Sequence, residues 1–208
     1  MSKRTLQLGR AVTALVVTVV ACGSCSSTVR QGRSPAYLIV DSMTAAPGAT
    51  PGAFDNILQS DVAVNKGTKA SPVWAIYEDL GKVTLRLALK DIGTPGSPTA
   101  PTTNNEITIG QYHVTFVRAD GRNTPGVDVP YGFDGAITGT VTATGATLSF
   151  VLVRAQAKSE APLKALRDGG GSDIISTIAE VTFYGHDQVG NQMIVAPILG
   201  KLISEPVF

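Results

Sequence analysis

The chain has 208 residues, 43% hydrophobic and 16% charged, with 22 glycines, 12 prolines, two cysteines, two histidines and a formal net charge of +1. That length suits one domain with its own core. A chain with neither a basic excess nor a run of Lys or Arg offers nothing to a phosphate backbone, which argues against nucleic acid as a partner.

What basicity there is sits at the start. Lys3, Arg4 and Arg10 precede an uncharged run at residues 11–21, which ends in Val19-Val20-Ala21-Cys22. Positive charge, a short apolar segment and small residues at a cut are the parts of an export signal. The run is too short to cross hydrocarbon, which takes about 20 residues. Val19 and Ala21 also satisfy ordinary signal peptidase, but Cys22 completes a lipobox. The reading is a lipoprotein signal peptide at residues 1–21 and lipidation of Cys22. One acyl chain such as palmitate anchors reversibly; two or more, at about 0.8 kcal/mol per buried methylene, anchor stably. Gly23 stands where an Asp would retain a lipoprotein at the inner membrane, so the expected address is the outer membrane. Without residues 1–21 the basic count falls from 17 to 14 against 16 acids, a net charge of −2.

Cys22-Gly-Ser-Cys25 has the spacing of a redox dithiol. Such motifs work at a helix start, whereas this one straddles a cleavage site, so Cys25 reads as an incidental thiol able to cross-link to a neighbour. No cysteine follows it, and the folded region must hold without disulfides. Residues 22–35 read as a Ser-rich tether, of which twelve extended residues reach at most about 40 Å.

Residues 36–208 carry β signals. The clearest lies at 82–90, where Val83, Leu85, Leu87 and Leu89 alternate with Thr84, Arg86, Ala88 and Lys90, the period of a strand with one buried face. The run at 72–78 reads as its hairpin partner through Asp79-Leu80-Gly81. Further strands are expected at 37–40, 61–65, 106–119 (one strand, or two bent at Gly110), 136–143, 146–157, 175–184 and 192–203, with turns at Thr144-Gly145 and 187–191. One helix is expected, with Ser159 as cap, Pro162 in the first turn, Leu163 and Leu166 on one face and Gly169 as stop. Residues 94–105, rich in Pro and Thr, form the longest loop. The sum is an all-β, immunoglobulin-like antiparallel β-sandwich with one short helix, over residues 36–208.

Chemistry is sparse. His113 falls in a strand and His186 in a turn beside Asp187; there is no Gly-x-Ser-x-Gly elbow and no Ser-x-x-Lys pair. A hydrolytic triad would have to assemble from distant residues, and two histidines without cysteine or HExxH spacing are too few for zinc. Asp120, Asp128 and Asp134, with Asn123 between, lie in a Gly- and Pro-rich stretch and raise the question of calcium, although Asp is also the ordinary residue of turns. Gly169-Gly170-Gly171-Ser172 lacks the strand and lysine of a phosphate loop and reads as a flexible connection. Thr138, Thr140, Thr142 and Thr144 form a solvent-facing row. Trp74, Tyr77, Tyr112, Tyr131 and Phe133 are the aromatics available for a sugar or protein patch, with Trp74 expected to pack between the sheets instead.

Several blocks resemble an uncharacterised family of short bacterial exported proteins and lipoproteins: SPAYLIVDSM from Ser34, VTLRLALKD from Val83, EITIGQYHVTFVRADGRNTPGVDVPYGFDGAITGTV from Glu106, LSFVLVRAQAKSEAPL from Leu148 and AEVTFYGHDQVGN from Ala179. The last block also resembles the closing hairpin of bacterial immunoglobulin-like domains. The resemblance implies export and brings no catalytic residue. The expectation is therefore a lipid-anchored envelope protein, not an enzyme and without cofactor or metal. It would act through loops such as 94–105 and 118–135 as a binding or structural module. An envelope protein or glycan is its expected partner beside the membrane, and a structural subunit of an envelope assembly or a secreted hydrolase are the alternatives.

Overall fold

The computed structural model describes residues 33–168 and 174–205. In chain order the strands are β1 (Ala36–Ala46), β2 (Ile57–Asp61), β3 (Val64–Asn65), β4 (Trp74–Ala75), β5 (Asp79–Leu89), β6 (Gly93–Thr94) and β7 (Ser97–Pro98). After a 3-10 turn at Thr103–Asn105 come β8 (Ile107–Val117), β9 (Phe133–Val141) and β10 (Ala146–Val153). Two short helices, α1 (Ala155–Lys158) and α2 (Leu163–Asp168), precede β11 (Ile175–Asp187) and β12 (Gln192–Glu205). One sheet has the order β1-β5-β10 and the other β2-β12-β11-β8-β9, while β3-β4 and β6-β7 are small ribbons. This is the all-β sandwich expected. Pairing is antiparallel except where β2 runs parallel to β12.

Alternation in β5 buries Val83, Leu85 and Leu87 and leaves Arg86 in water, as its period-two pattern requires. The expected hairpin partner is wrong. β5 is flanked by β1 and β10, and β4 pairs with β3 instead. Asp79-Leu80-Gly81 is strand, with Gly81 opposite Phe150. The ring lies so close to Gly81 that an added Cβ would come 2.5 Å from Phe150 Cζ. Glycine there is a steric requirement of the aromatic partner, where the sequence suggests a turn.

The sheets share one core. Tyr112 on β8 lies 5.1 Å from Phe150 on β10, and Phe150 lies 5.3 Å from Phe183 on β11, edge-on. Such rings are the largest apolar payload available to a core without disulfides. The Tyr112 hydroxyl is not wasted: it accepts the Val151 N–H at 3.2 Å across the sheets, which satisfies a polar atom that burial would otherwise leave costly. Burial also pushes the Tyr112 phenol above its ordinary pKa. β9 lies against β10 at one border of the sandwich, and β1 against β2 and β12 at the other.

Strand direction sorts the loops into two ends. Ala36 pairs with Leu89 and Ile107 with both Val141 and Asp187. The chain's entry at Ser34, the loop at 90–106 and the turns at 142–145 and 187–191 therefore share one end, the entry end. Asp79 pairs with Val153, and Val117 with Ile178. This places the segment 47–56, the β3-β4 ribbon, residues 118–132, α1 and α2 at the far end. With eleven residues in β8 at about 3.4 Å each, the ends stand roughly 35 Å apart.

The expected helix exists as α2, but its cap is reassigned. Ser159 closes α1, its hydroxyl donating to the Ala155 carbonyl at 3.2 Å. The strand expected at 146–157 stops at Val153, where the chain leaves the sheet to form α1.

Candidate functional site

At the far end a polar cluster is sealed inside the sandwich. The Lys158 Nζ of α1 donates to Asp79 Oδ1 at 2.6 Å, with side-chain exposures of 2% and 0%. The Gly48 N–H donates to the same oxygen at 2.9 Å, and the Ser60 hydroxyl donates to Oδ2 at 2.5 Å. Burial pushes the Asp79 carboxyl above its ordinary value, while the Lys158 charge and these hydrogen bonds pull the other way. A carboxylate in a dry site must either pair or take up a proton. The cluster joins β2, β5, α1 and the segment after β1, four pieces of chain that no local sequence pattern links.

Residues 118–132 form a braced loop over the same end. The Arg118 N–H donates to Asn123 Oδ1 at 2.6 Å. Both Arg118 and Arg122 direct guanidinium N–H groups onto Asp120, with Arg122 at 3.0 and 3.1 Å. Hydrogen bonding to Arg118 and then Arg122 holds the Asp120 carboxyl far below the usual carboxylate range. Gly121 and Gly126 take positive φ, 82° and 76°, which glycine alone adopts cheaply. Beside this loop is an open depression of about 480 Å³, whose lining includes Arg118, Arg122, Pro162, Leu166 and Ile175.

The three aspartates weighed for calcium are not brought together as ligands. Asp120 is committed to two guanidiniums, Asp128 accepts the Thr124 N–H at 3.2 Å, and Asp134 bonds His113. A cation at Asp120 would have to displace two positive charges. Among the described residues no group of three or more His, Cys, Asp or Glu is placed to hold a metal ion.

His113 Nδ1 stands 2.8 Å from Asp134 Oδ1 on neighbouring strands β8 and β9, in register, on an open sheet face. His186 Nδ1 lies 3.1 Å from the Asp187 carbonyl oxygen. Asp187 itself is the knot of its turn. Burial alone would raise its carboxyl, yet hydrogen bonds from the Asn191 side chain and backbone, Ser34 and the Val189 N–H outweigh that and lower it. Thr138 and Thr140 face water on β9, the latter hydrogen-bonded to Thr108.

The aromatics divide. Tyr112 and Phe133 are core, with the Arg154 guanidinium 4.4 Å over the Phe133 ring. Trp74 is not between the sheets: it is 49% exposed on the ribbon, with Val73 and Tyr77 also exposed. Asn65 Oδ1 fixes the ribbon by accepting the Gly67 and Val73 N–H groups at 2.9 and 3.0 Å, and Lys66 Nζ sits 5.3 Å over the Tyr77 ring. Tyr131 and Val127 are exposed on the braced loop. The two stretches named as contact loops, 94–105 and 118–135, lie at opposite ends of β8. The far end instead gathers residues 118–132 and the ribbon.

Cys22, Cys25, the signal segment and Gly169-Gly170-Gly171-Ser172 lie outside the described residues. Among the described residues no helix is long and apolar enough to cross a membrane. No protein-family model matches the chain, and no curated protein matches it. A solved structure, the Northeast Structural Genomics Consortium target SoR45, is similar with a TM-score of 0.34 and 10% identity, covering 81% of this chain and 86% of that one.

Proposed function

We propose that the chain is a lipid-anchored protein of the cell envelope, held through Cys22 at the outer membrane, whose β-sandwich is a non-catalytic binding or structural module. The observation that carries this reading is the order of basic residues, uncharged run and Val19-Val20-Ala21-Cys22. Topology adds a direction. Ser34 and Ala36 lie at the entry end, so a tether from Cys22 joins the domain there and leaves the ribbon and residues 118–132 at the opposite end, roughly 35 Å from the point of attachment. Exposed Trp74, Tyr77 and Tyr131 on braced backbone are the kind of rigid aromatic contacts that dominate interfaces. A hydrolase would need its histidine in a cleft with an acid and a nucleophile, whereas His113 and Asp134 stand on an open strand pair.

The test is capture of the lipidated chain from its native membrane after cross-linking. A stoichiometric envelope protein or glycan, lost in a Trp74→Ala, Tyr131→Ala variant that still folds, supports the reading. Recovery of the same partners by that variant overturns the assignment of the far end.

A further inference from the structure

We propose that Lys158 and Asp79 condense into an intramolecular amide, a covalent staple at the far end of the sandwich. The two residues are 79 apart in sequence and belong to different elements, yet Nζ and Oδ1 are 2.6 Å apart in a site that water does not reach. Only the folded chain creates that proximity, and proximity in a water-excluded site removes much of the barrier to joining two groups. Burial raises the carboxyl toward its neutral form, and a dry ion pair returns readily to neutral amine and acid by moving one proton.

The rest of the cluster is placed for the step. In the neutral pair the Lys158 nitrogen attacks Asp79 Cγ, and the oxyanion forming at Oδ1 is held by the Gly48 N–H, as backbone donors hold such charge in acyl transfer. Ser60, on Oδ2, passes a proton to the departing oxygen. A C–N bond forms, a C–O bond breaks, and one water leaves carrying Oδ2, the carboxyl proton and a proton from the amine. No electron is gained or lost. A buried ion pair by itself contributes little over apolar packing of the same volume, while a chain with no cysteine after Cys25 has no disulfide to close its long loops. The staple supplies that closure between β5 and α1, independently of how the protein is anchored.

Peptide mapping of the purified full chain tests this. The expected result is a branched peptide joining Lys158 to Asp79, one water (about 18 Da) lighter than its two linear parts, and replaced by linear peptides in Lys158→Arg and in Asp79→Ala. Asp120-Gly121 and Asp134-Gly135 can also lose water by cyclising, so the branched fragment ions decide. Linear peptides alone from the folded wild-type chain would overturn the proposal, whether or not the variants fold, and so would a water loss on the Asp79-containing peptide that persists in Lys158→Arg.

Discussion

Replacing Phe150 by Ala tests how the two sheets are joined. The ring is 5% exposed, covers Gly81 on the neighbouring strand and meets Tyr112 and Phe183 of the opposite sheet at 5.1 and 5.3 Å. Removing it deletes a buried aromatic and opens a cavity between the layers, a loss of about 3–5 kcal/mol. For a domain of this size that lowers Tm by roughly 6–20 °C, at about 2–4 °C per kcal/mol. Gly81→Ala alone is also costly, about 1–3 kcal/mol, because its Cβ overpacks the ring. In the Phe150→Ala background that Cβ meets open space and enters β5 as a better strand former than glycine. The double variant should therefore be no less stable than Phe150→Ala alone, a coupling of about 1–3 kcal/mol between the sites. Urea unfolding followed by circular dichroism measures all four corners of the cycle. Additive losses would refute the contact between ring and glycine, and with it the explanation for Gly81 in a strand.

Trp74→Ala should change stability by no more than about 0.5 kcal/mol, as for other exposed positions; a loss near 3 kcal/mol in urea unfolding would mean the side chain is core after all. Tyr112→Phe removes the hydroxyl that accepts the Val151 N–H and should cost about 1–2 kcal/mol, read in the same assay. The Asp187 carboxyl is lower in the folded chain than its ordinary value of 3.8. Its contribution is therefore present above about pH 3.8 and lost as pH falls through the folded value. Asp187→Ala should flatten that acid limb of the stability profile, and an unchanged limb would place the titration elsewhere.

The parts of the fold legible in the sequence are those whose cause is local. β5 announces itself because Val83, Leu85 and Leu87 alternate with polar residues, and the turn at Thr144-Gly145 because glycine takes a φ of 84° there. The misreadings have causes at a distance. Asp79-Leu80-Gly81 has the composition of a turn, yet Gly81 answers to Phe150 and Asp79 to Lys158, which no short window contains. The run Val73 to Tyr77 has the composition of a core strand, but only Trp74 and Ala75 pair as strand, with Asn65 and Val64, and the aromatics stay in water. Lys158 is hidden for the same reason: a lysine reads as surface until its carboxylate is placed beside it. Asp120 suggested a cation, and Arg118 and Arg122, close in sequence, were the available sign that its charge is already answered.

Anchoring through Cys22 is the central claim, and mass spectrometry of the mature amino terminus from the native membrane tests it most directly. The expected result is a chain beginning at Cys22 with acyl chains attached, and loss of both the lipid mass and the lipoprotein cut in Cys22→Ala. A terminus elsewhere without lipid, or an unchanged lipid mass in Cys22→Ala, would contradict the account.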